Sequence, residues 1–133
     1  MTSEGSTIAS RAYELRRRKA LDEAVEEYRR AAEAYGRAGE RSGEAHALRH
    51  AGDVLTQQRR LVEAEPAYLR ALELYDTCDA GALDVANALR AYAVFRELRG
   101  ADASELWKRA LPLYESAGVS VGADECRRRL GLT

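Results

Sequence analysis

The sequence contains only two cysteines, which can cross-link a chain, and two prolines, which interrupt helices. It also has one phenylalanine and one tryptophan among 133 residues. Cys78 and Cys126 lie far apart and match neither a CxxC motif nor the spacing of a structural zinc site. We therefore expect two free thiols and no disulfide framework. A chain of this length buries roughly two-thirds of the surface that its unfolded form exposes, so a hydrophobic core alone can stabilise it.

The sequence also has no excess of charge of one sign, since 21 basic and 22 acidic residues leave a formal net charge of −1. This balance argues against a sequence-independent nucleic-acid binder, which needs a basic surface. No apolar run reaches the about 20 residues that cross a bilayer, and the segment MTSEGSTIAS lacks the basic and apolar regions of a signal peptide. We therefore expect a cytoplasmic protein whose partner is neither nucleic acid nor a membrane.

What the sequence does contain is an internal repeat rich in helix-forming residues. The segments AVEEYRRAAEAY, AEPAYLRALELY and ASELWKRALPLY align without gaps at residues 24–35, 64–75 and 103–114. Small and aromatic residues alternate in each copy at i, i+4, i+7 and i+11, which places them on one face of an α-helix. Alanine on such a face admits a neighbouring helix and the aromatic ring fills the remaining gap. The repeat therefore predicts a helix that packs on both sides.

A second helix is predicted before each repeated one, because apolar residues recur there at helical spacing. These first helices are expected over about 6–19, 43–59 and 81–99, and a last helix over about 120–130. Asp102 with Glu105 predicts a capping box at the start of the third repeated helix. Pro66 is expected near the first turn of the second one, where a missing amide costs little, and Pro112 predicts a bend inside the third.

The unit ALRHAGDVLTQQRRLVEAEPAYLRALELY resembles a tetratricopeptide repeat (TPR) of the about 40-residue, kinesin-light-chain-like kind. The small residue of the family pattern matches Gly52, its two alanines match Ala64 and Ala71, and its aromatic residue matches Tyr68. Lys19 departs from the pattern, since the family has a glycine at that turn. The resemblance covers nearly the whole chain.

The resemblance implies an all-α fold: an α-solenoid of three TPR-like helix-turn-helix repeats plus a C-terminal capping helix, about seven helices in all. It implies one domain over residues 1–133. Its repeats are expected at about 6–39, 43–77 and 81–117, and its capping helix at about 120–130.

In this family the first helices of the repeats line a concave groove that takes a segment of another protein. The groove positions carry over to Ala9, Tyr13, Arg16, Arg17, His46, Arg49, His50, Asp53, Gln57, Asn87, Arg90, Val94 and Leu98, with Arg127 as a further candidate. Guanidinium groups grip carboxylates bidentately. The resemblance thus implies a protein–protein interaction module that binds an acidic or carboxylate-terminated peptide, with apolar pockets at Tyr13, Val94 and Leu98.

The open alternative is that these arginines are only solvated. The chain has 19 arginines and two lysines, a composition typical of bacteria with GC-rich genomes. A second function class also stays open, a structural repeat domain that self-associates as a homodimer through its N-terminal end, because the first helix is short.

A chemical alternative rests on His46, His50 and Asp53, which stand at i, i+4 and i+7 in HALRHAGD. This spacing places two imidazoles and a carboxylate on one helical stripe, a set that suits zinc or nickel. Paired histidines on a polar groove wall are more often a recognition surface, so no metal and no other cofactor is expected. The sequence has no Gly-rich phosphate loop, nucleophile elbow or paired catalytic carboxylates, and we therefore expect no enzyme.

Overall fold

The computed structural model describes residues 3–132, so Met1, Thr2 and Thr133 of the expected domain lie outside the described residues. Within residues 3–132 the chain forms seven α-helices and no strand. They are α1 (Glu4–Arg17), α2 (Leu21–Arg37), α3 (Arg41–Gln57), α4 (Leu61–Asp76), α5 (Ala82–Leu98), α6 (Ser104–Ala117) and α7 (Ser120–Leu130). The predicted all-α fold of consecutive helix pairs is confirmed, and the first helices begin and end within two residues of their predicted bounds.

The helices fall into two compact units, with the boundary between Asp79 and Ala80. In the first unit α1 packs on α2, α2 on α3 and α3 on α4, and α1 also contacts α3. In the second unit α5 packs on α6, and α6 on α7. The single domain expected from the sequence stays a prediction.

The repeated small and aromatic residues contribute to the core of each unit. In the first unit the buried members are Ala24, Tyr28, Ala31, Ala64, Tyr68, Ala71 and Tyr75, and in the second they are Ala103, Trp107, Ala110 and Tyr114. Burying one large side chain contributes about 1.5–3 kcal/mol. The repeat is therefore a packing pattern, as the sequence indicated.

Three tyrosine rings lie directly on helix backbones, and glycine permits this approach. Tyr35 lies on Gly5 of α1 as well as on α3, and Tyr68 lies on Gly52 of α3. A Cβ added to Gly43 of α3 would overlap the ring of Tyr35, and one added to Gly122 of α7 would overlap the ring of Tyr114. The glycine contacts therefore join α1 to α2, α2 to α3, α3 to α4, and α6 to α7.

The turns inside the three repeats all contain one residue in the left-handed conformation. Its φ is +64° at Lys19, +63° at Arg59 and +75° at Gly100. The sequence indicated a missing glycine at Lys19, and the structure adds Arg59 as a second case. A side chain in this conformation costs about 1–2 kcal/mol, so two of the three turns are strained and the third is not.

The local predictions for Asp102 as a helix cap and for Pro66 in a first turn were wrong in detail. Helix α6 has Ala103 as its N-cap and no side-chain cap. Asp102 instead accepts hydrogen bonds from the backbone N–H (3.1 Å) and the hydroxyl (2.7 Å) of Ser104, so it closes the preceding turn. Helix α4 begins at Leu61, so Pro66 lies in its second turn and leaves one carbonyl without a helical donor.

Three further expectations concerned Pro112, the two cysteines and membrane-spanning helices. Helix α6 continues past Pro112 to Ala117, and the bend expected there stays a prediction. Cys78 and Cys126 are both free thiols. None of the helices in the described part of the chain is long and apolar enough to cross a membrane.

Candidate functional site

A polar cluster on α3 is centred on Asp53, which engages both of its carboxylate oxygens. The hydroxyl of Tyr68 on α4 donates to Oδ1 at 2.7 Å, and Nη1 of Arg49 donates to Oδ2 at 3.1 Å. The side chains of Arg49 and Asp53 are each 17% exposed, so water screens this pair less than it screens a surface pair. We refer to His46, Arg49, His50, Asp53 and Tyr68 as the α3 polar cluster.

The two histidines of the α3 polar cluster contact each other through their Nε2 atoms, which lie 3.1 Å apart. The Nδ1 atom of His50 is buried, has no hydrogen-bond partner within residues 3–132, and lies 3.7 Å from Oδ2 of Asp53. One protonation pattern suits both contacts: His50 carries its proton on Nδ1, facing the carboxylate, and accepts at Nε2 from His46.

Burial is the main reason why His50 is neutral. Desolvation, followed by the charges of Arg49, His46 and Arg16, lowers the pKa of His50 to about 3. A neutral imidazole keeps one ring nitrogen with a lone pair, so His50 can accept a hydrogen bond or bind an electrophile at ordinary pH.

A surface pocket of about 460 Å³ lies beside these histidines, where α1, α2 and α3 meet. It is lined by Ser6, Ala9, Ser10, Tyr13, Glu14, Tyr28, Tyr35, His46 and His50. The ring of His50 stacks on Tyr28 with 5.4 Å between ring centroids, and Tyr13 is 54% exposed. We call this site the α1–α3 pocket; its walls are aromatic faces interrupted by hydroxyl, imidazole and carboxylate groups.

The arginines predicted on α1 lie close to tyrosine rings. The guanidinium of Arg17 lies 6.0 Å from the ring centroid of Tyr13 and 3.7 Å from a carboxylate oxygen of Glu14. Burial raises the pKa of Tyr28, and the charge of Arg16 and its hydrogen bond to the phenol oppose this effect. Both arginines therefore sit where they supply positive charge beside the α1–α3 pocket. Gln57 is exposed at the end of α3.

The site residues predicted on α5 have partners inside the second unit. Asn87 accepts a hydrogen bond of 2.7 Å from the hydroxyl of Tyr114. Arg90 binds Glu125 of α7 through both Nε (2.6 Å) and Nη2 (3.4 Å). Burial raises the pKa of Glu125, but Arg90 and Arg129 outweigh burial and lower it. Val94 is half-buried and Leu98 is exposed.

Most of the predicted arginines are therefore already in ion pairs. Arg49 pairs with Asp53, Arg90 pairs with Glu125, and Arg127 pairs with Glu115 at 2.6 Å and Asp124 at 3.0 Å. A bound carboxylate would have to compete with these internal partners.

The structure brings Tyr13, His46 and His50 together in one pocket and joins Arg49, His50 and Asp53 in one cluster. Sequence reasoning missed Tyr28 and Tyr35 as lining residues, because their helical spacing assigned them wholly to the core. The sequence did contain a signal for this role. Both tyrosines lie on α2, which packs on α1 and on α3, the two first helices that form the pocket.

The three-ligand set of His46, His50 and Asp53, considered from the sequence as an alternative, does not converge on one point. Asp53 faces Nδ1 of His50, whereas His46 lies at Nε2 on the other side of the ring. No group of three or more His, Cys, Asp or Glu side chains in the described chain is arranged to hold a metal ion.

No family model and no curated protein of similar sequence matches the chain. Among solved structures, the crystal structure of BtubC (BKLC) from P. vanneervenii, a kinesin light chain-like TPR protein, is similar to it with a TM-score of 0.72 and 20% sequence identity. The match covers 96% of this chain and 61% of that chain, so this chain spans less than two-thirds of the length of BtubC. This likeness shows a TPR-like fold, in agreement with the resemblance of the repeats.

Proposed function

We propose that this chain is a non-catalytic protein-interaction module that binds a segment of another protein on the first helices of its repeats. The observation that carries the proposal is the α1–α3 pocket, in which Tyr13 from α1 meets His46 and His50 from α3. These residues come from two different first helices, as a binding surface of a TPR-like fold requires. The pocket has a volume within the range of small-ligand sites, about 300–1,000 Å³, and can enclose a large side chain.

The chemistry of the α1–α3 pocket suits one anchoring side chain of an extended segment. Aromatic faces bury the apolar part of that side chain, while the imidazole and hydroxyl groups satisfy its polar atoms or the adjacent backbone. On α5 of the second unit, Arg90, Val94 and Leu98 are a separate candidate surface of mixed character.

The proposed preference for acidic or carboxylate-terminated segments rests mainly on Arg16, because Arg17 already lies 3.7 Å from a carboxylate oxygen of Glu14. Arg49 and Arg90 already pair with internal carboxylates. A ligand carboxylate would replace such an ion pair, so it would gain only the difference in free energy between the old pair and the new one. The resulting affinity is expected on the order of micromolar.

Self-association is the second candidate function, and an apolar stripe on α4 favours it. Val62 is 79% exposed and Leu69 is 48% exposed, and with the exposed Pro66 they stand at i, i+4 and i+7 on one helical face. The exposed residues of α1 are mostly polar, namely Glu4, Thr7, Ser10, Arg11, Glu14 and Arg17 beside Tyr13. A homodimer is therefore better supported through α4 than through the N-terminal helix.

The two candidates can be tested with one pair of variants. Peptide arrays containing acidic, free-carboxylate and charge-reversed peptides are probed with wild type, Tyr13→Ala and Leu69→Ala, and each protein is also examined by gel filtration with light scattering at two concentrations. Peptide binding predicts that Tyr13→Ala weakens binding about tenfold or more while Leu69→Ala leaves it unchanged. Self-association predicts a dimer that only Leu69→Ala weakens. Equal peptide binding by wild type and Tyr13→Ala would contradict the pocket assignment.

A further inference from the structure

We propose that His46 and His50 bind a divalent transition-metal ion, Cu²⁺ or Ni²⁺, through their two Nε2 atoms at the wall of the α1–α3 pocket. This site has two protein ligands and differs from the three-ligand set considered from the sequence. It does not depend on the proposed peptide binding.

The distance between the two nitrogens suits a shared metal ion. Imidazole nitrogens bind such ions at about 2.0–2.1 Å, and two nitrogens 3.1 Å apart then subtend an angle close to a right angle at the metal. That angle is typical of the tetragonal geometry of Cu²⁺ and Ni²⁺ and is narrower than the tetrahedral angle that Zn²⁺ prefers. Both ligands stand on consecutive turns of α3, so the helix holds them in register.

The surroundings of His50 prepare it as a ligand. With its proton on Nδ1, facing Asp53, its Nε2 carries a lone pair directed at His46. Metal ligands of this type commonly donate their other ring nitrogen to a carboxylate, which fixes the tautomer. Asp53 is in turn oriented by Tyr68 and Arg49. This arrangement also gives a role to the buried Nδ1 atom, whose contact with the carboxylate shortens when a cation polarises the ring.

Binding requires a local change at His46. Its Nε2 proton moves to Nδ1, and its exposed ring turns so that both lone pairs point at one ion. The remaining coordination positions face the α1–α3 pocket, where water or a donor group of a bound segment can fill them. Among the nearby charges, Arg16 and Arg49 oppose the ion, while Asp53 and Glu14 favour it.

The chain offers an unusually clean spectroscopic test, because it contains only two histidines. The full chain is prepared without a polyhistidine tag and with Cys78→Ser, so that the partly exposed thiol does not reduce Cu²⁺. Calorimetric titration with Cu²⁺ is expected to give one ion per chain, and pulsed electron paramagnetic resonance is expected to show two coordinated imidazoles. His46→Ala should reduce the affinity at least about tenfold and leave one imidazole in the spectrum.

The role of Asp53 is tested by a matched pair of variants. Asp53→Asn is expected to weaken Cu²⁺ binding about 10- to 100-fold, whereas Asp22→Asn makes the same change of charge at an exposed carboxylate that accepts from Gln58 beyond the C-terminal end of α3 and should leave binding unchanged. Circular dichroism checks that each variant is folded, and because His46 is exposed, its variant provides the test even if Asp53→Asn unfolds the chain.

Three results would overturn the proposal. These are equal Cu²⁺ affinity of wild type and His46→Ala, a spectrum with fewer than two imidazoles, or a stoichiometry of one ion per two chains. Unchanged Cu²⁺ binding by a folded Asp53→Asn variant would show that this carboxylate does not contribute to the metal site.

Discussion

Helix α3 of the first unit and α5 of the second are the first helices of consecutive repeats. Each carries an arginine at the same repeat position, and the two arginines have different partners. Aligning the repeat turns at Arg59 and Gly100 places Arg49 of α3 opposite Arg90 of α5. Arg49 pairs with Asp53 four residues further along its own helix, whereas Arg90 pairs with Glu125 on α7. The aligned position of Asp53 in α5 is Val94. An acid one turn away retains the arginine on its own helix, and an apolar residue there leaves it available to a neighbouring helix.

The aromatic residues that pack on these helices show the same difference. The hydroxyl of Tyr68 contacts Asp53 and lies 3.2 Å from the hydroxyl of Thr56. In the second unit Trp107 fills the equivalent place, and its ring N–H donates to Glu97, which aligns with Thr56, at 3.0 Å. Tyr68 and Trp107 occupy equivalent core positions, but the polar atom of each ring has a different partner on the preceding helix. A buried ring with a polar atom requires such a partner.

The largest expected effect comes from removing the ring that completes the second unit. Trp107 is 1% exposed, and Trp107→Ala should lower the free energy of unfolding by about 3–5 kcal/mol because it leaves a cavity. Trp107→Phe retains most of the ring and loses the bond to Glu97, so about 1–2 kcal/mol is expected. Urea unfolding followed by circular dichroism measures both values. Equal losses would show that the hydrogen bond, and not the packing, dominates at this position.

The next effect tests the polar arrangement of α3 by making it resemble α5. Asp53→Val should cost about 2 kcal/mol, because it leaves Arg49 unpaired in a half-buried position and removes the best acceptor of Tyr68. The double variant with Tyr68→Phe should cost less than the sum of the two single variants. Strictly additive losses in a double-mutant cycle would mean that the Tyr68–Asp53 hydrogen bond contributes nothing to stability.

A smaller effect of opposite sign is expected at the turns. Arg59→Gly and Lys19→Gly should each stabilise the chain by about 0.5–1 kcal/mol, because glycine adopts positive φ without strain but loses more entropy on folding. Gly100→Ala should destabilise it by about 1 kcal/mol. Thermal and urea unfolding measure all three. Destabilisation by Arg59→Gly would indicate that contacts of the arginine outweigh its backbone strain.

The smallest effect is expected at the ion pair of the second unit, since the Arg90 side chain is 46% exposed. Arg90→Ala should cost less than about 1 kcal/mol, and salt should reduce this difference. The lowered pKa of Glu125 stabilises the fold above the ordinary glutamate pKa of about 4.3, and this contribution is lost as the pH falls through the lowered value. The difference between wild type and Arg90→Ala should therefore vanish on acidification. A difference that persists at acid pH would mean that Arg90 acts through packing.

The fold could be predicted from the sequence because its main determinant is local. Alanine and aromatic residues at helical spacing, repeated three times, specify which face of each helix is buried, and Tyr28 and Tyr68 are core residues as their spacing indicated. The left-handed conformation of Arg59 was not predicted, because nothing in its side chain favours that conformation and the flanking helices impose it.

The ion pairs and hydrogen bonds of the candidate site were less predictable from the sequence. Family positions identified Arg90 and Asn87, but their partners Glu125 and Tyr114 lie 35 and 27 residues away in the chain. Whether an exposed arginine is paired depends on which carboxylate another helix brings within reach, and helical periodicity does not contain that information.

Inside each of the two units, helices pack on their neighbours in the chain, and this has a consequence for how the protein folds. Within each unit, the helices in contact are adjacent or next-but-one along the sequence. Native contacts of this kind close short loops, so folding is expected in the microsecond-to-millisecond range typical of helical domains of low contact order. Neighbour-dependent stability also predicts graded amide hydrogen exchange. Protection should be greatest in α2 and α3, which are packed on both sides in the first unit, and lowest at the outer turns of α1 and α7.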